Sequence, residues 1–173
     1  MAENEKHALW LRPFGDAAFA LKERINKLSK KFDTPVFEPH ITLLSGLRRG
    51  KTELIQLTDT LAGVLSPFSV QLTEAGYRDH YFQSLFVQVK ESSSFIAAQE
   101  TAEKLFGCTT DEQYFPHLSL MYGNIKQQEK LKLLNTMNNH FQIQFPVHSI
   151  LLIKTEGEVN DWKKIHSAEF KHH

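Results

Sequence analysis

Two stretches carry one pattern: Thr34-Pro35-Val36-Phe37-Glu38-Pro39-His40-Ile41-Thr42-Leu43-Leu44-Ser45-Gly46 and Asp111-Glu112-Gln113-Tyr114-Phe115-Pro116-His117-Leu118-Ser119-Leu120-Met121-Tyr122-Gly123. Pro39, His40, Leu43 and Gly46 recur as Pro116, His117, Leu120 and Gly123, and Phe37/Tyr114, Ile41/Leu118, Thr42/Ser119 and Leu44/Met121 are conservative pairs. The two histidines lie 77 positions apart in a chain of 173 residues, close to half its length. The same offset lays residues 7–11 over 84–88 and Leu28 over Leu105. An internal duplication predicts two lobes related by an approximate two-fold, and clefts commonly form where equivalent elements face each other.

Working outward, the order strand, helix, strand, helix, strand occurs twice. Residues 7–11 read as a short buried strand. Pro13 opens a helix whose apolar positions Phe14, Ala17, Ala18, Leu21, Ile25, Leu28 and Phe32 recur at helical spacing, and Asp33-Thr34-Pro35 stops it. The strand at 40–44 ends at Ser45-Gly46. Thr52 is the expected N-cap of a second helix with Leu54, Leu57, Leu61 and Leu65 inward. Phe68, Val70 and Leu72 alternate as a strand, and residues 82–89 form the next. Ser92-Ser93-Ser94 caps a third helix that Gly107 closes. A fourth helix is expected over about 127–138, then strands at about 141–145 and 147–154 parted at Pro146, and an extended stretch from Trp162 to Phe170. The expectation is one α+β domain over 1–173, with repeats at about 7–78 and 82–155 and a closing strand at 156–170.

Apolar residues make up 41% and charged residues 23%, with thirteen Phe, so the chain has the composition of a folded globular domain rather than of a disordered segment. Lys+Arg and Asp+Glu are 20 each, and zero net charge argues against a long duplex footprint. A nucleotide or an RNA end needs only a few well-placed groups. Cys108 is the single cysteine, so neither an intrachain disulfide nor a cysteine-rich zinc site can form. The polar start Met1-Ala2-Glu3-Asn4-Glu5-Lys6 is unlike a secretory signal, and no apolar run is long enough for a membrane span. The expectation is a soluble, cytoplasmic monomer, since no sustained heptad is present. The terminal Lys171-His172-His173 could be native chain or a tag remnant and carries no part of the functional assignment.

Along a strand, residues i and i+2 share a face. His40 therefore projects with Thr42, and His117 with Ser119. A two-fold brings two imidazoles and two hydroxyls into one groove. Hydrolysis of a cyclic phosphodiester needs a base for the attacking water and an acid for the leaving sugar oxygen. Imidazoles titrate near 6.5, so one neutral and one protonated ring are expected to coexist near neutrality. Hydroxyls can donate to the non-bridging oxygens where charge accumulates. No metal and no cofactor is required, and two histidines with hydroxyls lack the further ligand that zinc wants. Surface or core roles are the default for His7, His80, His140, His148 and His166, and Cys108 lacks the basic neighbour of a nucleophile.

The pair of H-x-S/T-φ motifs, His40-Ile41-Thr42-Leu43 and His117-Leu118-Ser119-Leu120, resembles the hallmark of the two-histidine (2H) phosphoesterase superfamily. Phe37-Glu38-Pro39-His40, Pro116 through Tyr122, Phe82-Gln83-Ser84-Leu85-Phe86 and Lys154-Thr155 are similar to its cyclic phosphodiesterase branch, known from plants and yeast. The resemblance spans about residues 7–170. It implies a two-lobed fold of antiparallel sheets around a central groove, with helices outside. It implies hydrolysis of ADP-ribose 1″,2″-cyclic phosphate, a tRNA-splicing product, or of 2′,3′-cyclic nucleotides. It implies that His40 and His117 are the acid/base pair, that Thr42 and Ser119 bind phosphate, and that Tyr122 and, more weakly, Phe82 contact the substrate. Tyr122 stands at an odd spacing from His117, so it reaches the groove only if a twist or bulge intervenes. The alternatives are an enzyme acting on RNA 2′,3′-cyclic ends or resembling a 2′–5′ RNA ligase, and a module that binds a nucleotide phosphate without turnover.

Overall fold

A computed structural model describes residues 5–137 and 141–171. Met1 to Asn4, positions 138–140 with the expected end of the fourth helix and His140, and His172-His173 lie outside the described residues. In chain order the elements are β1 His7–Leu11, α1 Gly15–Phe32, β2 Ile41–Leu47, α2 Lys51–Val64, β3 Phe68–Gly76, β4 Leu85–Val89, α3 Ser93–Phe106, β5 His117–Met121, α4 Gln127–Thr136, β6 Gln144–Val147, β7 Ser149–Lys154 and β8 Lys163–Glu169. Short 3-10 turns at Tyr81–Gln83 and Val159–Asp161 precede β4 and β8. No helix among the described residues is long and apolar enough to cross a membrane.

The fold is α+β. Its eight strands form one curled antiparallel sheet in the order β6-β3-β4-β5-β2-β1-β7-β8. The centre of the sheet is the β2–β5 junction, where Ile41 lies opposite Leu118. On either side the halves exchange a strand. β3, from the first half of the chain, pairs with β4, and β7, from the second half, pairs with β1. The helices cross over as well: α1 packs on β5 and α3 on β2, while α2 lies on β7 and β8.

Strand alternation sorts the side chains. In β1, Leu9 and Leu11 enter the main core, whereas Ala8 and Trp10 turn to the opposite face with Leu151, Ile153 and Trp162. The main core holds Ile25 and Leu21 of α1, Leu54 and Leu61 of α2, and Phe95 and Phe106 of α3. Each such side chain contributes about 1.5–3 kcal/mol by burial.

Several boundaries differ from the sequence reading, each for a local reason. The strand expected from residue 82 starts at Leu85, because the Tyr81–Gln83 turn comes first and holds its own Gln83 N–H to His80 O bond. Pro146 lies within β6 instead of parting two strands, opposite Ser69. β6 is the edge of the sheet, where a residue without an N–H is tolerated. The break falls at His148. Thr52 sits in the first turn of α2; Gly50 is its N-cap and makes no side-chain bond. α1 starts after Pro13, at Gly15, with Phe14 as N-cap. β2 runs through Ser45 and Gly46 to Leu47. Ser92 does cap α3, accepting the Phe95 N–H at 3.2 Å, and Gly107 ends that helix in the left-handed region at φ 60°.

Candidate active site

On the face away from the main core, the curl of the sheet leaves a groove of about 810 Å³. His40, Thr42, His117 and Ser119 all line it, together with Tyr122 and Phe82. The register explains the convergence. With Ile41 opposite Leu118, one step either way along the antiparallel pair sets His40 across from Ser119 and Thr42 across from His117. The duplicated motifs thus form one four-residue patch astride the central strands.

Both imidazoles are anchored alike. Nδ1 of His40 lies 2.7 Å from Glu38 O, and Nδ1 of His117 lies 2.9 Å from Phe115 O. A carbonyl only accepts, so each Nδ1 carries a proton and donates it, which leaves Nε2 as the lone-pair nitrogen of the neutral ring. The Glu38 side chain is held in turn by Arg12 at 3.1 Å and Lys22 at 2.8 Å.

The surroundings of the two rings are unequal. His40 is 5% exposed; His117 is half-buried. Trp10 lies flat against His40, with ring centroids 3.5 Å apart and planes 8° from parallel. The Tyr122 hydroxyl is 3.5 Å from His40 Nε2. Phe115 stacks on His117 at 4.5 Å, and the Arg78 guanidinium lies over the Phe115 ring at 4.0 Å. Burial, with a smaller push from His117 and Arg12, lowers His40 to about 3. Burial also lowers His117, with Arg78 adding to it. Desolvation thus favours the neutral form of both rings, His40 the more strongly. An anion bound between them raises both.

Tyr122 reaches the groove through the irregularity its odd spacing required. Leu85 pairs with Met121, but the next residue, Phe86, pairs with Ser119, so β5 bulges at Leu120. Phe37 stacks on the Tyr122 ring at 3.9 Å, and burial pushes its hydroxyl upward. The Ser119 hydroxyl donates to Phe82 O at 3.0 Å. Phe82 is 41% exposed and packs beside Trp162 and Tyr122.

The groove also contains Trp10, Trp162, Arg78, His80 and Tyr114, none of which the sequence reading placed there. Tyr114 donates its hydroxyl to Thr42 O at 3.0 Å. His80 accepts the Phe82 N–H within the segment before β4, and Lys130 of α4, itself buried, ties that segment down by donating to Arg78 O at 2.9 Å. Trp10 and Trp162 are far from the motifs in sequence; strand pairing with Thr42 delivers the first, and the turn before β8 the second. Cys108 stands at the groove wall with its thiol pushed up by burial and by Glu103, which suits an inert side chain. Among the described residues no group of three or more His, Cys, Asp or Glu is arranged to hold a metal ion.

The duplicated His-x-Ser/Thr motif thus sits at the centre of a curled antiparallel sheet crossed by helices. Residues 6–170 match the model of the cyclic phosphodiesterase-like protein family, and the chain belongs to that family. It is 22% identical over 160 residues to a cyclic phosphodiesterase of Arabidopsis thaliana, covering 90% of this chain and 88% of the relative. Among solved structures, TT0787 of Thermus thermophilus superposes with a TM-score of 0.69 at 18% identity, covering 96% of this chain and 98% of its own. E. coli LigT complexed with NADP+ gives 0.67 at 14% identity, covering 98% and 99%. These two share the fold. Family membership supports a cyclic phosphodiesterase activity for this chain.

Proposed function

We propose that the protein opens the cyclic phosphodiester of a small nucleotide, a 2′,3′-cyclic nucleotide or ADP-ribose 1″,2″-cyclic phosphate, to a phosphomonoester without a metal ion. The observation that carries this reading is the like anchoring of two imidazoles, each Nδ1–H on the carbonyl two residues earlier, each Nε2 left for one groove. A small nucleotide is favoured by the neutral chain and by the E. coli LigT structures, described as complexed with 3′-AMP, ATP and NADP+.

His40, the more deeply desolvated ring, is the base. Its Nε2 takes a proton from water as the water oxygen bonds to phosphorus. His117, nearer solvent, is the acid. The anionic substrate raises its proton affinity, and it protonates the sugar oxygen as the P–O bond breaks. Thr42 and Ser119 donate to the non-bridging oxygens, whose charge grows in the transition state. Tyr122 steadies His40 Nε2 from the side, and Phe82 offers an exposed ring to the base.

Phosphorus NMR on a 2′,3′-cyclic nucleotide with EDTA present tests this directly. Turnover persists, and His40→Ala and His117→Ala each lose about two or more orders of magnitude. Full turnover in either variant sinks the assignment. An oligonucleotide with the same cyclic end, turned over faster than the mononucleotide and with steep salt dependence, points to RNA ends instead.

A further inference from the structure

The two candidate histidines occupy equivalent places, yet their neighbours across the sheet differ. Trp10 of β1 pairs with Thr42, and Phe86 of β4 pairs with Ser119, so Trp10 and Phe86 hold corresponding positions beside the two motifs. Phe86 meets His117 edge-on at 5.4 Å with planes 62° apart, and the ring stacked on His117, Phe115, is its near neighbour in the chain and lies looser, at 4.5 Å and 25°. Trp10 covers a whole face of His40. Trp10 is also on the wrong side of the sheet to serve the main core: it belongs to the small cluster on the groove face and is backed edge-on by Trp162 at 5.8 Å. Packing of the main core therefore does not account for this large aromatic on the groove face.

We propose that Trp10 is the positioning residue of His40: its indole plate fixes the imidazole plane and makes the two histidines of the duplicated motif unequal. The inference rests on the acid/base reading above and deepens it. The ring is then held on three sides. Nδ1 is tied to Glu38 O, one face is closed by Trp10, and Phe37 stands edge-on at 6.2 Å. Nε2 lies 3.5 Å from the Tyr122 hydroxyl. The charged and titratable groups facing His40 are Arg12, after β1, and His117 and Tyr122, on and just after β5. None of them is a carboxylate that would hold a proton on the ring. Removing the plate lets water reach one face and frees rotation of the ring.

The test uses Trp10→Phe and Trp10→Leu in the full chain. The expected result for Trp10→Leu on a 2′,3′-cyclic nucleotide is a kcat lower by about 10–100-fold, with KM within about threefold, because orientation of the base is lost and not ground-state binding. Trp10→Phe keeps a smaller plate and recovers part of the loss. Independently of turnover, the His40 ring proton in the NMR spectrum is silent in wild type between about pH 5 and 8 and begins to titrate there in Trp10→Leu. If Trp10→Leu does not fold, the same readouts on Trp10→Phe move less but in the same direction. An unchanged kcat with a silent His40, or a rise confined to KM, overturns the proposal, the latter making Trp10 a substrate surface. Full turnover in His40→Ala removes the acid/base reading instead, and the NMR titration then still decides whether Trp10 governs His40.

Discussion

Ser119 has one hydroxyl proton, and that proton is engaged with Phe82 O. To donate to a phosphate oxygen the hydroxyl must leave that carbonyl. Phosphate capture and the hold on the Phe82 turn are therefore exclusive uses of one donor. Ser119→Ala loses a charge-assisted bond worth about 1.5–3 kcal/mol, so kcat/KM falls roughly 10–100-fold. The same variant accelerates amide exchange at the Tyr81–Gln83 turn before any ligand is added. A Ser119→Ala variant with wild-type kinetics shows that the hydroxyl serves only the turn. Trp10 and Phe86, at matching positions, show how one residue can break the symmetry of a duplicated motif.

At the scale of elements, caps and turns decide how far each motif is carried toward the groove. Ser92→Ala removes the side-chain cap of α3, and chemical denaturation should register a loss of about 1 kcal/mol. Gly123, directly after Tyr122, sits at φ 140°, and a Cβ there would meet Thr34 Cγ2 at 3.1 Å. Its N–H also bonds Tyr81 O, so the residue joins the end of β5 to the turn carrying Phe82. Gly123→Ala is expected to destabilise by about 1–3 kcal/mol and to disturb Tyr122 more than His117. A melting curve matching wild type is the contrary result. The cap on α3, the stop at Asp33 and the buried stripes were all legible in the sequence, because they depend on neighbours a few residues away. The bulge at Leu120 was legible only as a requirement: the odd spacing of Tyr122 from His117 asked for it, and the partner strand supplied it.

The whole molecule ties stability to pH through the same histidines. In the unfolded chain an imidazole titrates near 6.5. Folding lowers His40 to about 3 and His117 in the same direction. Between those values the unfolded chain binds more protons than the folded one, so stability rises with pH. It is fully present above about pH 6.5 and is lost as pH falls toward the folded value, by up to about 1.4 kcal/mol per pH unit for one fully differential group. Denaturation of wild type and His40→Gln at pH 7 and 5 should show a shallower dependence in the variant; equal slopes would mean that His40 is not held neutral by burial. The exchanged strands carry a second prediction. Residues 1–80 lack the β7 partner of β1 and the β4 partner of β3, and residues 81–173 lack the reciprocal pair. Neither piece should show protected amides alone, whereas a folded half would mean that the crossed pairing is dispensable.

The chain by itself determined the duplicated pattern, the α+β class, the four helices and the two His-x-Ser/Thr pairs, because hydrophobic spacing, capping and strand alternation act over a few residues. It also showed which side chains share a face within each motif. Tertiary structure alone decided that Ile41 meets Leu118, that β3 and β7 change sides, that Trp10 lies on His40 and that Arg78 comes to Phe115. Those contacts join residues tens of positions apart, and nothing local encodes them. They follow from the register of strand pairs along the whole sheet, and with them comes the unequal burial that separates the two imidazoles.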